Sequence, residues 1–328
     1  MTYRITNKRF WRFKLDLNNL IRYYKEKYSI KTERNWAEYE RDYRNRLEAA
    51  VREIRPMIEE ASYALLGNTK HIGRPQKVAT EDKVMMLLLK DIFDTSNRKT
   101  ARLLPLFSGL SEISITYKTV ERLYSAPLVS MIVHNMFVIM IRKRGIVHAD
   151  LSGDGTGYGL TVTKHYSTNI RKSNGKKKTF AYAFAFLDLK TKMYVGYGVG
   201  MRSEMEAFNN AKMMMKRLGI EADSVRLDRY YTFRSITGRF GRKTAFYILP
   251  KKDTTIKGTE KWHNIWRSFM EDSMAFLKEY YRRENSESGF ASDKKSNGWQ
   301  IWQRRTDRIA TAIMCKGVWH NLLLLSKK

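Results

Sequence analysis

The chain has 328 residues, and its 62 lysines and arginines against 33 aspartates and glutamates give a formal net charge of +29. So large a positive excess is unfavourable for a compact chain by itself, and nucleic acid is the commonest polyanion that offsets it. A single cysteine excludes an internal disulfide, the longest apolar run (residues 128–141) is too short to cross a bilayer, and no signal peptide is evident, so we expect a cytoplasmic protein without a membrane partner.

Residues 1–72 are rich in arginine, lysine and aromatic side chains, and their apolar spacing predicts two helices. The second helix carries an apolar stripe at steps of three or four, from Trp36 to Ile54, and Pro56 is expected to kink or restart it. Two interpretations of the stripe stay open. It packs inside its own domain, or it is the seam of a dimer.

Residues 73–145 predict a DNA-binding region. The run that contains Arg74 is extended and basic, and it suits either a minor-groove arm or a plain linker. Residues 96–125 predict a helix, a break at Ser108-Gly109-Leu110 and a second helix, an order typical of a helix-turn-helix. On the second helix the spacing places Lys118 and Arg122 on the outer face, where a major groove would be read.

From residue 146 the apolar period changes from helical to alternating. The pattern predicts three strands, a helix, a strand, a short helix and a strand, followed by helices over about 262–291 and 299–325. Three antiparallel strands beside two parallel ones form a five-stranded mixed sheet flanked by helices. This is the RNase H-like order, and we assign it to residues 146–328.

Two aspartates follow predicted strands in this region. Asp154 stands in an Asp-Gly-Thr-Gly run after the first strand, and Asp228 follows the fourth strand, which lies beside the first at the centre of the sheet. We therefore expect their carboxylates to approach each other. Asp150 is the alternative to Asp154, and each aspartate has a competing role, as a turn residue or as a helix cap.

A third carboxylate comes from the helix near the C-terminus. Tyr280, Arg283, Glu287 and Lys294 are spaced so that one helix would carry them in a single stripe. Glu284 is the nearest substitute for Glu287, and a surface pair of Glu287 with Arg283 is the competing interpretation. Three converging carboxylates repel one another unless divalent cations neutralise them, which predicts a Mg²⁺ or Mn²⁺ site with two ions.

This spacing resembles the Tyr-x2-Arg-x3-Glu-x6-Lys signature of one branch of the DDE transposases of prokaryotic insertion sequences. The Asp154-Gly155-Thr156-Gly157-Tyr158 run and the Leu227-Asp228-Arg229-Tyr230-Tyr231 run are similar to the first two motifs of that family. Two features depart from it: Gly289 is expected to weaken the helix beside Glu287, and only 59 residues separate Asp228 from Glu287, which leaves no room for a large β-rich insertion.

The resemblance implies a metal-dependent enzyme that cuts DNA at the ends of its element and joins the 3′ ends to target DNA. It implies Asp154, Asp228 and Glu287 as catalytic metal ligands, with Tyr280, Arg283 and Lys294 contacting the transposon end. Double-stranded DNA is then the partner, with a homodimer on DNA and association with the nucleoid. Two alternatives keep the fold: a nuclease that does not join ends, and a DNA-binding regulator without catalysis.

Overall fold

The computed structural model of the chain describes residues 5–28, 35–66, 78–107, 110, 112–164 and 178–325. Helix α1 (Asn7–Tyr28) packs against two helices near the other end of the chain, α8 (Glu260–Glu271) and α9 (Ser273–Tyr281). The ring centroids of Phe10 and Trp266 are 5.3 Å apart, and Tyr24 stacks on Tyr281 at 5.0 Å. The first helix therefore lies on the C-terminal half of the protein.

Helix α2 (Trp36–Leu66) is a single helix of 31 residues that runs through Pro56. The predicted interruption at Pro56 is wrong, and the surrounding packing explains why, since Ile54, Met57 and Ile58 are all buried and stabilise the turn on each side of the proline. Much of the predicted stripe is different: Trp36, at its start, is 61% exposed and Val51 is 47% exposed. Among the described residues, the fully buried positions of α2 lie from Ala50 onwards.

Four further helices follow: α3 (Thr80–Ile92), α4 (Asn97–Leu103), α5 (Tyr117–Leu123) and α6 (Pro127–Lys143). The side chains of Ser96 and Thr116 cap α4 and α5 by accepting hydrogen bonds from backbone N–H groups three residues on. Both predicted helices of the 96–125 segment are thus present. In the part of the chain described here no single helix is long and apolar enough to span a membrane, although α5 and α6 pass that test as a pair bent by 55°.

The sheet consists of β1 (His148–Lys164), β2 (Lys178–Asp188), β3 (Tyr194–Gly200), β4 (Glu221–Leu227), β5 (Ala245–Tyr247) and the short β6 (Gln300–Ile301). Its order is β3-β2-β1-β4-β5, with β6 pairing β1 beyond the end of β4. Strands β1, β2 and β3 are antiparallel, and β4 and β5 run parallel to β1. The predicted five-stranded mixed sheet, preceded by an all-helical region, is confirmed; the two-residue β6 was not predicted.

Helix α7 (Glu204–Arg217) covers β2 and β3 on one face of the sheet. The predicted long helix over 262–291 is divided into α8, α9 and α10 (Glu284–Asn297), and the last predicted helix is shorter, α11 (Thr306–Leu325). Asp272 separates α8 from α9, because its extended backbone and its cap on the Ala275 N–H start a new helix. Gly298, with φ of +71°, ends α10.

The C-terminal helix α11 joins the two halves of the fold. It packs on β3 and α10 of the sheet domain and on α2, α3 and α6 of the helical region. The indole N–H of Trp319, which is fully buried, donates to the backbone carbonyl of Leu88 in α3 at 2.8 Å. The helical region and the sheet domain therefore share one continuous hydrophobic core.

Candidate active site

Asp154 lies inside β1, one residue after the last pair between β1 and β4, Gly153 with Leu227. The prediction that the strand ends before Asp154 is wrong, because the antiparallel ladder to β2 continues and pairs Asp154 with Ala185. Among the described residues, the other edge of β1 has no strand partner between Gly153 and Gly159, where β6 begins. The Asp154 carboxyl therefore stands where one edge of the central strand is open.

Asp228 follows the last residue of β4, which places it beside the same opening. Its Oδ1 accepts a hydrogen bond of 2.7 Å from the N–H of Tyr230 and so caps a short 3-10 turn over Arg229–Tyr231. Its Oδ2 lies 3.7 Å from a guanidinium nitrogen of Arg283. The cap and the charged contact thus use different oxygens of one carboxylate.

The start of α10 is tied to β1 by serine hydroxyls. Ser152 donates 2.8 Å to the carbonyl of Arg283, and its oxygen lies 2.7 Å from that of Ser286. Ser152 and Ser286 are both fully buried, so these hydrogen bonds are shielded from water. They bring the first turn of α10, with Glu287, over the strand position that carries Asp154.

Arg283 bridges two of the carboxylates. Its Nη1 lies 2.5 Å from Oε1 of Glu287 and 3.7 Å from Oδ2 of Asp228. The guanidinium lies over the ring of Tyr280, with Cζ 5.4 Å from the ring centroid, and the arginine side chain is only 17% exposed. The surface pair proposed as a competing interpretation of Glu287 is therefore present, but it is half-buried and shared with Asp228.

The pKa of Asp154 is raised from 3.8 to about 7. Burial is the largest cause and the charge of Glu287 the second, whereas the N–H of Gly155 and the Arg283 guanidinium lower it. Because burial and Glu287 both disfavour the charged form, Asp154 lacks a sufficient positive neighbour. A cation bound beside it would restore its ionised form.

Asp150, the alternative first carboxylate, lies four residues earlier in β1 and has other partners. Its Oδ1 accepts from the hydroxyl of Ser224 and lies 3.9 Å from Nη1 of Arg226, which is 2% exposed. Arg226 also pairs with Glu279 of α9. Asp150 thus belongs to a cluster that holds α9 against the β1–β4 pair.

One acidic residue near Asp154 was missed by the sequence analysis. Glu204, the first residue of α7, accepts a hydrogen bond of 2.7 Å from the hydroxyl of Tyr231, and its carboxyl carbon lies 2.5 Å from where a Cβ of residue 155 would stand. Only glycine at position 155 leaves room for it. The relevant signal was the glycine after Asp154, but the contact joins residues far apart in sequence.

The three predicted carboxylates are suited in chemistry to a hard divalent cation, which prefers carboxylate oxygens. As they stand, however, no three acidic, histidine or cysteine side chains among the described residues are close enough together to hold one. Arg283 instead supplies positive charge between Asp228 and Glu287. The donor set fits the ion in kind, and the arginine now neutralises part of it.

The remaining signature residues flank this group. Tyr280 belongs to α9 and is 3% exposed, so its ring supports Arg283 from below. Lys294 lies two turns after Glu287 in α10, with Nζ 5.5 Å from the ring centroid of Tyr158. Burial lowers the pKa of Lys294, and the charge of Asp154 opposes that shift. The predicted single stripe is therefore split between two helices, because the chain turns at Arg282 and Arg283.

In the helical region, the exposed side chains of Lys118 and Arg122 line a cleft of about 560 Å³ together with Arg98 and Arg304. Helix α5 is fixed to α11, because the guanidinium of Arg308 binds Glu121 at 2.6 Å. The cleft thus combines the predicted outer face of α5 with the loop between β6 and α11. Arg74 lies outside the described residues.

The chain resembles a known protein over most of its length. It is 41% identical over 298 residues to a probable transposase for insertion sequence element ISA1214 from Archaeoglobus fulgidus. The match covers 91% of this chain and 88% of the relative. No protein-family model matches the chain.

Proposed function

Because the chain belongs to the transposases of insertion sequences, we propose that it binds the terminal inverted repeats of its element, cleaves the DNA there and transfers the freed 3′ ends to target DNA. One observation supports the chemistry: Arg283 spans Asp228 and Glu287, and the charge of Glu287 acts on Asp154. Acidic groups collected in this way suit metal-dependent phosphodiester cleavage.

Asp154, Asp228 and Glu287 are the residues that would hold Mg²⁺ or Mn²⁺, two ions per site. When bound, the ions supply positive charge for the attacking and the leaving oxygen of the phosphodiester. The chain's contribution would be positional: Asp154 is in β1, Asp228 directly follows β4, and the serine contacts hold the first turn of α10, which carries Glu287.

Arg283 and Lys294 are the cations of this site that would contact phosphates of the transposon end. The guanidinium of Arg283 is supported by Tyr280, and its buried Nε has no hydrogen-bond partner among the residues that the structure describes. A phosphate oxygen could accept from it, since a guanidinium fits phosphate well. Transfer of Arg283 from the carboxylates to a phosphate would leave the carboxylates free for cations.

Recognition of the element's ends is assigned to the helical region. Lys118 and Arg122 present their charges at the mouth of one cleft with Arg98 and Arg304, a pattern suited to backbone phosphates and groove edges. Arg74 is proposed as a further DNA contact. Two copies of the chain would act on the two ends, and the exposed first half of α2 is the proposed seam between them.

One observation favours a second candidate, a DNA-binding regulator without catalysis. In such a protein the carboxylates would stay paired with Arg283, and the described residues show no group ready to hold a metal ion. A nuclease that cuts without joining keeps the same site. The three functions differ in what happens to labelled DNA.

The test is cleavage and joining of a labelled duplex that carries the element's end, with Mg²⁺ or Mn²⁺, by the wild type and by Glu287→Gln and Asp228→Asn. Both variants keep the shape of the side chain and remove its charge, so each should bind the duplex but lose cleavage by at least about a thousandfold, the scale on which removal of a catalytic group acts. Glu284→Gln, in the same helical turn, is the matched control and should remain active.

Cutting and joining by the wild type together with loss in both variants supports the transposase. Cutting without joining would indicate the nuclease. If all the proteins bind the duplex and none cuts, the regulator is the better description and the carboxylates have no catalytic role.

A further inference from the structure

A second large cleft lies at the other end of the sheet from the carboxylates. It has a volume of about 1160 Å³ and runs between the later half of α7 and residues 238–244, the segment that leads into β5. His148 and Glu221, which begin β1 and β4, lie at its floor. Six strand positions separate His148 from Asp154, a distance of roughly 20 Å at about 3.3 Å per residue.

Both walls of this cleft carry positive charge. Lys212 and Lys216 extend from α7, and Arg239, Arg242 and Lys243 come from the facing segment. Within the part of the chain that the structure describes, none of these five side chains forms an ion pair. The acids of the lining are Glu221 and Asp223, and Asp223 contacts His148 at 3.1 Å. The cations are thus collected without matching counter-charges.

Two of the cations are held in place by their surroundings. Nη1 of Arg239 donates to Oδ1 of Asn209, and its guanidinium lies 5.2 Å from the ring centroid of Phe233. Nζ of Lys212 lies 4.9 Å from the ring centroid of Phe240. Because both positions are fixed before any ligand arrives, little side-chain entropy would be lost on binding an anion.

The proximity of these charges also affects protonation. The pKa of Lys212 is lowered, first by burial and then by the positive charges of Lys216 and Arg239. Like charges held together in a half-buried cleft repel one another, and a bound anion relieves that repulsion. Geometry and electrostatics therefore both favour an anionic ligand here.

We infer that this cleft binds the backbone phosphates of duplex DNA, away from the strand end at the carboxylates. DNA presents one negative charge per roughly 1.7 Å of its axis, so a run of phosphates can engage cations from both walls at once, whereas a single small anion engages few of them. The inference rests on the proposed function, because an enzyme that joins an element's end to a target must hold DNA beyond the reacting phosphate.

The experiment reverses three exposed cations, Lys216→Glu, Arg242→Glu and Lys243→Glu, in one variant of the full chain. Duplex binding is measured by fluorescence anisotropy across a salt series, without divalent metal, so that no cleavage is needed. The control variant carries Lys190→Glu, Lys257→Glu and Lys278→Glu, which change the net charge equally but at scattered exposed positions.

If the cleft holds phosphates, the slope of log affinity against log salt falls by about 2 to 3 in the cleft variant, because each lost phosphate contact contributes about 0.9. The control should keep the wild-type slope. Equal slopes in all three proteins would overturn the inference even where the wild type cuts DNA. A reduced slope in the cleft variant supports the inference even where no protein cuts DNA. Failure of the inference can therefore be distinguished from failure of the proposed function.

A second arm distinguishes duplex DNA from a small phosphate. Inorganic pyrophosphate is titrated into the wild type and the cleft variant by calorimetry. Pyrophosphate binding that the cleft variant loses, together with unchanged duplex binding, would show a small-anion site and would overturn the inference.

Discussion

At the scale of single residues, Asp154 is a group whose surroundings disfavour its charge. Its pKa rises to about 7 in the folded chain from the ordinary value of 3.8, first through burial and then through Glu287. The folded chain therefore holds a proton that the unfolded chain releases between these two values. The free energy of unfolding of the metal-free protein should lose this contribution as pH rises from about 4 to about 7.

Asp154→Asn removes that pH dependence. Relative to the wild type, the metal-free variant should gain about 1 to 3 kcal/mol at pH 8, after allowance for solvent screening, and little at pH 4. Urea unfolding in a chelator at both pH values measures the difference, with the exposed Asp253→Asn as control. If the variant and the wild type differ by the same free energy of unfolding at pH 4 and at pH 8, then folding does not raise the pKa of Asp154.

Arg283 offers a second prediction at this scale. Arg283→Gln removes the contacts with Glu287 and Asp228 and the proposed phosphate contact while leaving the three carboxylates in place. Loss of charge-assisted hydrogen bonds should weaken binding of the element's end about tenfold to a hundredfold. Gel-shift titration measures it, and Arg282→Gln, whose guanidinium binds Glu279, is the neighbouring control. Equal affinities in the two variants would remove Arg283 from the DNA contacts.

Local patterns indicate the residues of the candidate site, but they do not indicate the partners of those residues. Asp154, Asp228 and Glu287 are each marked by a local pattern, so the sequence indicates them directly. Glu204 reaches Gly155 only because α7 crosses the sheet, and no local pattern records that crossing. Asp150 and Asp154 both precede the same glycine-rich run, and the structure gives them different neighbours: Asp150 lies beside the buried Arg226, whereas the charge of Glu287 acts on Asp154.

At the scale of elements, α10 shows how a residue unfavourable to helices serves packing. Gly289 was expected to weaken the helix beside Glu287, yet α10 is continuous there. A Cβ at this position would lie 3.0 Å from the hydroxyl of Tyr194 and 3.5 Å from the ring of His320. The glycine therefore lets α10 approach β3 and α11 closely, and tertiary packing outweighs helix propensity.

Asp293 fixes the later half of α10. It is 5% exposed, its Oδ2 accepts 2.8 Å from the Tyr194 hydroxyl, and its Oδ1 lies 2.8 Å from Nδ1 of His320. Asp293→Ala should lower the free energy of unfolding by about 3 kcal/mol or more, because it removes the hydrogen-bond partner of two buried polar groups, the Tyr194 hydroxyl and the His320 ring. Urea unfolding measures the loss, with exposed Lys295→Ala as control. A loss below about 1 kcal/mol would show that α10 is held by its apolar contacts alone.

The spacing of apolar residues could not predict where the C-terminal helical segment is divided. The spacing continues across Asp272 and across Arg282 and Arg283, so it predicts one helix where three exist. The cap formed by Asp272 and the docking of Ser152 on the first turn of α10 decide the breaks. The cap is a local contact that apolar spacing does not record, and the docking of Ser152 forms only once the chain has folded.

At the scale of the whole molecule, the order of helices and strands was enough to predict the sheet, because few topologies satisfy three antiparallel and two parallel strands. The placement of α1 was not predictable in this way. Its aromatic side chains pack on α8 and α9, more than two hundred residues away along the chain. The aromatic content of α1 alone does not predict which helices it contacts.

The exposed first half of α2 supports a prediction about assembly. Trp36→Asp with Val51→Asp places charges at two exposed apolar positions of α2. If two copies meet there on DNA, the variant should form complexes with one protein where the wild type forms complexes with two, since buried unpaired charges are costly. Analytical ultracentrifugation of the protein–DNA complex measures this.

The control for assembly is Arg41→Gln with Arg44→Gln, which changes the net charge equally on exposed positions of the same helix. It should keep the wild-type stoichiometry. A variant of the apolar stripe that still assembles in pairs would place the seam elsewhere.

The position of α11 has a consequence for how the protein is made. Helix α11 follows α2, α3 and α6 in the chain, fills the space between them, and its Trp319 satisfies a carbonyl of α3. During synthesis those three helices therefore stay incompletely packed until α11 has left the ribosome. Truncated products that end before α11 would lack this packing, and we expect cells to degrade them.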